Sequence, residues 1–518
     1  MAASPDASRS GLGVVTRGTL LLFTATLVLV GANFASRVLL VRGLSIPDWN
    51  AFSYAVAIVS VVATIGGLGL PNTVARNLPY AASDEERRSI VRVALVVGGL
   101  SCVAIPIAMY FAGPTIGAAL GASDVGFGVQ ILGIAYGFYA ASGLVVALFQ
   151  GYEDVRPNAI FVQILAPSLF VAFLLVAFLV PPGTIDFPAA LWAYTAANGV
   201  AFALALGYTF GKLPQRLPRG PRAPDRTIPT LAFALPLLGV AVFAYLNGWA
   251  DTLVLGAYDF PEVGTYSASL TLARLLPIGV TALAFILLPV TARLLRTGDT
   301  SAARTTFATA TKWTTVFSLP LFLLFVFLPS SSLGFVYGSN YAQITTPLQI
   351  AVVGSFLATI VGPAAAVQVA FARTRLLFLN ALVSAGADIA ISLALVPTYG
   401  MTGAAIAWAV AAVIYPALAV VELAAIDAVH PFRRSYVVPL LASAVPLAIL
   451  LRFVPGTLPG WTLVPLAVGL GLFYVLMIVL TRSVDDGDRM LLDVVERLLG
   501  RRLGLVRRLG GWAVRGTP

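Results

Sequence analysis

Five charged side chains stand inside stretches of this sequence that are otherwise apolar: Arg37, Asp251, Arg274, Lys312 and Asp388. A charge at the centre of a membrane-spanning helix costs about 2.5–3.5 kcal/mol on insertion scales. Such a residue therefore faces water, a partner or a ligand, and is a functional candidate by default. Arg274 lies about twelve residues into its apolar run, roughly 18 Å along a helix axis at 1.5 Å per residue, too deep to reach a surface. Its guanidinium offers a fork of donors that matches phosphate oxygens and keeps its charge. The plain alternative is an ion pair inside the bundle. Asp388, near the middle of another run, suits a carrier of H+ or a ligand of Na+, or else a hydrogen-bonded structural acid. Lys312 starts within two turns of a span's end, where it either meets the same substrate as Arg274 or extends outward to the surface.

Two of the five are related by an internal repeat. NFASRVLLVRGLSIPDWNAFS (Asn33 to Ser53) and NGWADTLVLGAYDFPEVGTYS (Asn247 to Ser267) align at one constant offset. Asn33 falls on Asn247, Leu39 on Leu253, Pro47 on Pro261 and Ser53 on Ser267, with Asp48 on Glu262 and Phe52 on Tyr266. Downstream, LPNTVAR (Leu70 to Arg76) returns as LPVTAR (Leu288 to Arg293). Two matches in the same order indicate a duplicated unit of about 200 residues. Arg37 stands where the second copy has Asp251, so the repeat reverses charge there.

The elements that carry these residues follow from composition. Of 518 residues, 59% are hydrophobic and 10% charged, and the mean hydropathy is +0.93. A soluble domain carries about 25% charged residues, and apolar runs of about 20 residues span a bilayer as helices. The chain reads as an all-α polytopic membrane protein of about fourteen transmembrane helices. Residues 1–17 form a polar tail, 18–210 a first lobe of six helices and 211–228 a Pro- and Arg-rich linker. Residues 229–432 make a second six-helix lobe, 433–482 two further helices, and 483–518 an amphipathic basic helix suited to an anionic leaflet. An even helix number per repeat relates the lobes by a pseudo-two-fold along the membrane normal. Most of the 32 Lys and Arg fall in connections on the side of the N-terminus, which places both termini in the cytoplasm of a cell membrane. That location also explains the net charge of +10 without a nucleic-acid partner.

Enzyme signatures are missing. The one cysteine, Cys102, lies in an apolar run and the one histidine, His430, in a charged loop, so no catalytic or metal constellation of these residues exists. No GxxxxGK[ST] loop is present. Neither a cofactor nor direct ATP drive is expected, and energy would come from an H+ or Na+ gradient or from the membrane potential, where 100 mV is worth about 2.3 kcal/mol per charge.

DIAISLALVPTYGMTGAAIAWAV (Asp388 to Val410), FVYGSNYAQ (Phe335 to Gln343) and PEVGTYSASL (Pro261 to Leu270) carry a family resemblance. The chain resembles the multidrug/oligosaccharidyl-lipid/polysaccharide flippase superfamily, in particular its polysaccharide-biosynthesis branch of oligosaccharide flippases. It departs from that pattern at Asp388, where the family leads one to expect Asn. The resemblance implies two lobes facing each other across a V-shaped cavity that opens alternately to either side. It implies a monomer among membrane lipids that moves a polyprenyl phosphate- or pyrophosphate-linked oligosaccharide from the inner to the outer leaflet. Arg274, Arg37, Lys312, Asn33 and Asn247 would bind that substrate, Asp388 would couple an ion, and Arg76 and Arg293 would meet the arriving headgroup. Plain positive-inside anchoring accounts equally well for the last two.

A cation-coupled exporter of drugs or small molecules on the same scaffold is the competing reading. Cationic substrates would favour acids in the cavity, whereas the basic residues above favour phosphate. A membrane glycosyltransferase or ligase fits less well, because the outer loops are too short for a catalytic domain. In the family the first and seventh helices line the cavity, so Arg37 and Asp251 would pair as an outer gate. The alternative has each extending to the outer interface. If they form the gate, Arg37→Asp and Asp251→Arg each abolish transport and the double exchange restores it in a vesicle assay; failure of the double variant to recover would remove the gate.

Overall fold

The computed structural model describes residues 5–488 except 181, 214–226, 259, 297, 372 and 486. Most of the expected linker and of the basic tail helix therefore lies outside the described residues. The described chain is helical, with one isolated bridge between Leu179 and Pro182. This is the outcome a bilayer imposes, since backbone N–H and C=O groups have no water to bond there.

In order, the helices are α1 (Pro5–Gly43), α2 (Ile46–Gly66), α3 (Leu70–Asn77), α4 (Asp84–Val93), α5 (Gly99–Ala119), α6 (Ser123–Gly151), α7 (Ala166–Leu179), α8 (Phe187–Lys212) and α9 (Thr227–Tyr258). They continue with α10 (Val263–Ala273), α11 (Ile278–Arg296), α12 (Thr300–Phe327), α13 (Pro329–Tyr337), α14 (Thr345–Ile360), α15 (Ala364–Ala370), α16 (Thr374–Asp427), α17 (Arg434–Arg452) and α18 (Leu463–Leu480). Short π-helical segments join α4 to α5 and lead into α7.

Among the described residues, eleven helices are long and apolar enough to cross a membrane, and twelve if α9, bent by 49° between Phe243 and Tyr245, is one span. The fourteen expected spans differ from this in two places. α16 runs unbroken through 54 residues, but Gly400 (φ 52°, ψ −133°) kinks it. A straight helix of that length would be about 80 Å long, over twice the roughly 30 Å apolar core of a bilayer. The 376–396 and 402–424 spans read from the sequence are its two arms. The expected 262–288 span is instead broken into α10 and α11 by a turn over Arg274–Pro277. α1 also starts at Pro5, inside the stretch read as a polar tail, because extending an existing helix needs no new nucleation.

Packing divides the chain into two compact units, residues 1–264 and 265–518. The break falls within the first turn of α10, and α9 groups with the first unit because it packs on α2 and α3. In the first unit α6 is central, touching α2, α3, α5 and α8. Its contact with α5 is close because small residues face each other: a Cβ on Gly126 would lie 2.6 Å from the Gly113 carbonyl oxygen. Leu70, Val74, Leu78, Leu148 and Phe149 form the core beneath. Large apolar side chains such as Phe111, Phe210 and Leu100 point outward, as lipid contact requires.

In the second unit α12 packs against α11, α14, α17 and α18. Thr306, Thr309, Thr311, Thr314 and Thr315 line it, all buried, as is Lys312. The lysine ammonium bonds to Asp488 at 2.6 Å and to the Ser483 carbonyl at 2.9 Å, and lies 3.7 Å from Asp485. Trp313 donates to the other Asp488 oxygen at 2.8 Å, while Thr309 and Ser435 donate to Asp485. The segment after α18 is thus clasped to α12, and a Cβ on Gly487 would lie 2.1 Å from the Thr309 hydroxyl. Burial pushes the Asp488 carboxyl above its ordinary range while Lys312 pulls it back down.

Removing one partner of a buried ion pair costs about 3–5 kcal/mol, because the other is left uncompensated, whereas replacing both can be neutral. Lys312→Met is therefore expected to lower the Tm of the detergent-solubilised protein, and Lys312→Met with Asp488→Leu to recover most of the loss. A single variant that melts like the parent would show that the clasp contributes nothing.

Candidate functional site

Arg274 sits at the break between α10 and α11, its N–H still bonded to the Leu270 carbonyl at 2.9 Å. It is half-buried, and its guanidinium carbon lies 5.9 Å from the centre of the Trp408 ring on the second arm of α16. The break is where irregular backbone is tolerated at membrane depth, in protein or along a wet cavity. A cation on an indole face is held without being neutralised. Arg274 thus stands beside an interrupted helix, against an aromatic ring.

Asp388 is fully buried on the first arm of α16, in a stripe with Ser384 and Ser392 at helical spacing; Ser384 donates to the Ala411 carbonyl at 2.8 Å. Near the end of α16, Glu422 accepts from Asn380 at 2.9 Å and from Gln368. Asp427 pairs with Arg373 at 2.8 Å. Lys312, expected as a substrate cation or an outward-reaching chain, is instead buried and engaged by the Ser483 carbonyl and two acids, Asp485 and Asp488, from the segment after α18.

In the first unit Asn33 is exposed on α1 and Arg37, one turn on, half-buried. Asp251 is fully buried on α9, one turn from the partly buried Asn247. Arg76, exposed in the last turn of α3, lies over the Phe233 ring at 4.7 Å. Arg293 lies in α11, its side chain outside the described residues.

Trp49, Asn50 and Gly264, which lie inside the matched stretches, and Tyr54 just beyond the first of them join the two stretches together. The Asn50 carboxamide donates to the Pro261 carbonyl and accepts from the Gly264 N–H, both at 2.7 Å. The Trp49 indole donates to the Gly264 carbonyl, also at 2.7 Å. A turn later Tyr54 donates to the Leu253 carbonyl at 3.2 Å. Asn50 and Gly264 are 214 residues apart, which is the offset of the repeat, so each meets its own counterpart. Only glycine fits at 264, since a Cβ would lie 2.3 Å from Asn50 Oδ1 and 2.6 Å from Trp49 Cδ1. The signal was present in the alignment, as a glycine opposite a large polar residue inside an otherwise matched segment.

The comparisons with known proteins agree with this architecture. The family described as polysaccharide biosynthesis protein matches residues 15–295, more than half of the sequence. The chain belongs to that family, and its fold is that of the transporters of the multidrug/oligosaccharidyl-lipid/polysaccharide superfamily. An inward closed conformation of the lipid II flippase MurJ is similar, with TM-score 0.69 and 17% identity over 88% of this chain and 97% of that one. An inward-facing multidrug resistance MATE transporter gives TM-score 0.59 and 15% identity over 75% of this chain and 92% of that one. A superfamily transporter from Pyrococcus furiosus, described as having a binding pocket of reversed polarity, gives 0.54 and 13% over 78% and 94%. No curated protein matches the sequence.

The contact at Asn50 is neutral and small enough to part and re-form. Gly264→Ala is expected to open it without unfolding either helix. In a Cys102→Ser background, a cysteine at Ser53, which is buried one turn along α2, should then react several-fold faster with a membrane-impermeant maleimide. Equal protection in parent and variant would mean that these hydrogen bonds do not hold the segment shut.

Proposed function

We propose that this multi-pass membrane protein moves a polyprenyl phosphate- or pyrophosphate-linked oligosaccharide from the inner to the outer leaflet of the cell membrane by alternating access. The observation that carries the reading is Arg274, a guanidinium at the break between α10 and α11, over the Trp408 ring and suited to phosphate oxygens. Family membership supports a substrate of polysaccharide biosynthesis. The likeness to a lipid II flippase supports a lipid-linked one, and the asymmetric distribution of Lys and Arg supports cytoplasmic termini. On this reading Arg37, Asn33 and Asn247 contact the substrate. The Trp49–Asn50–Gly264 contact closes the outer side together with Arg37 and Asp251, and Arg76 and Arg293 meet the headgroup at the inner face.

One observation favours a second reading. Asp388 is fully buried midway along the first arm of α16, where an acid can carry H+ or hold Na+ and so drive a small-molecule exporter. An ion-coupled flippase would use it in the same way.

Leaflet-sidedness measured in proteoliposomes with a fluorescent polyprenyl-phosphate sugar separates the two. Hydrogen bonds to a charged group are worth about 1.5–3 kcal/mol, so Arg274→Ala should slow flipping roughly 10- to 150-fold. Arg274→Lys, which keeps the charge without the fork, should fall between. Absence of flipping by the parent, with efflux of a cationic dye that is lost in Asp388→Asn, would replace the flippase by the exporter.

A further inference from the structure

The first unit holds a concentration of phenols that none of the roles above uses. Tyr136 and Tyr139 on α6, Tyr194 on α8 and Tyr245 on α9 lie within electrostatic range of one another. The Tyr136 ring is 6.0 Å from that of Tyr139, inclined at 64°, and 5.9 Å from that of Tyr194, inclined at 38°. The Tyr136 hydroxyl shares a hydrogen bond of 2.8 Å with Ser60 of α2, and Phe170 packs edge-on against Tyr194 at 4.9 Å. Tyr136 and Tyr194 are thereby fixed in place. Tyr139 and Tyr245 are not covered: they expose 41% and 37% of their surface. Arg37 is within electrostatic range of Tyr136.

Buried core does not call for this arrangement, because phenylalanine would fill the same volume without four hydroxyls to satisfy. A ligand that is apolar on its faces and polar around its rim does. Tyrosine supplies a rigid amphipathic surface with few torsions to freeze, and binding sites combine aromatic walls with a few placed polar groups. We propose that Tyr139 and Tyr245, backed by Tyr136 and Tyr194, form a saccharide subsite. The C–H face of a sugar ring lies against the two open phenols, the hydroxyl rim takes up sugar hydroxyls, and the phosphate linking sugar to lipid lies toward Arg37. The inference rests on the flippase reading and adds to it: it says which part of the first unit distinguishes a glycosylated lipid from a bare one.

The test is binding to the full-length protein in nanodiscs, using a panel of polyprenyl phosphates carrying a hexose, a hexosamine or a deoxyhexose, and the bare polyprenyl phosphate. The parent should bind at least one glycosylated lipid about tenfold more tightly than the bare one. Tyr139→Ala and Tyr245→Ala should remove that preference while leaving affinity for the bare lipid unchanged, and Tyr139→Phe should keep most of it. Melting curves identify any variant that fails to fold, and Tyr139→Leu, which keeps volume and loses the ring, then serves in its place. A parent that binds the bare lipid with no preference for sugar, or a preference that survives Tyr139→Ala and Tyr245→Ala, overturns the subsite alone. A parent that binds no polyprenyl phosphate overturns the flippase reading itself.

Discussion

A bilayer core supplies no hydrogen bonds, and that constraint governs this structure more than any single contact. Every span must satisfy its own backbone as a helix, which is why the described chain is helical throughout and why departures from the helix carry information. They occur at Gly67–Gly69 after α2, at Arg274–Pro277, and at Gly362 and Pro363 between α14 and α15. Gly69 and Gly362 have positive φ, which glycine adopts without strain. The Arg274 break is different in kind, because it joins interrupted backbone to a charge. Irregularity and charge each carry a cost in hydrocarbon, and at Arg274 they coincide.

The duplication shows how two copies of one sequence diverge where they touch. Along most of the repeat, matched residues occupy separate places and similarity is tolerated. At Asn50 and Gly264 a residue faces its own counterpart, and two asparagines could not share that volume. One stretch carries the hydrogen-bonding side chain and the other has none at the matched position. At Arg37 and Asp251 the matched stretches differ in charge instead of size.

Buried charges in the second unit separate into two kinds. Lys312 is enclosed by Asp485, Asp488 and the Ser483 carbonyl, and it holds the segment after α18 to α12. Arg274, half-buried at the break between α10 and α11, lies over the Trp408 ring. Sequence position gave both the same standing, as basic residues within apolar runs. The partners that distinguish them are distant in sequence: Lys312 meets a segment more than 170 residues away. No local pattern could have revealed it, because an ion pair depends on which helices lie side by side.

Composition and periodicity alone determined that this chain is an α-helical membrane protein, since apolar runs of bilayer length have no other stable form. The internal repeat, the asymmetry of basic residues and the short list of intramembrane charges were also legible, because each is local or follows from counting. Tertiary structure decided the rest. It placed the breaks, grouped α9 with the helices before it, withdrew Lys312 from the candidate site and joined Asn50 to Gly264. It also brought four tyrosines from α6, α8 and α9 within electrostatic range of one another. These depend on side chains from separate helices converging, and hydropathy fixes which helices form without fixing which of their faces meet.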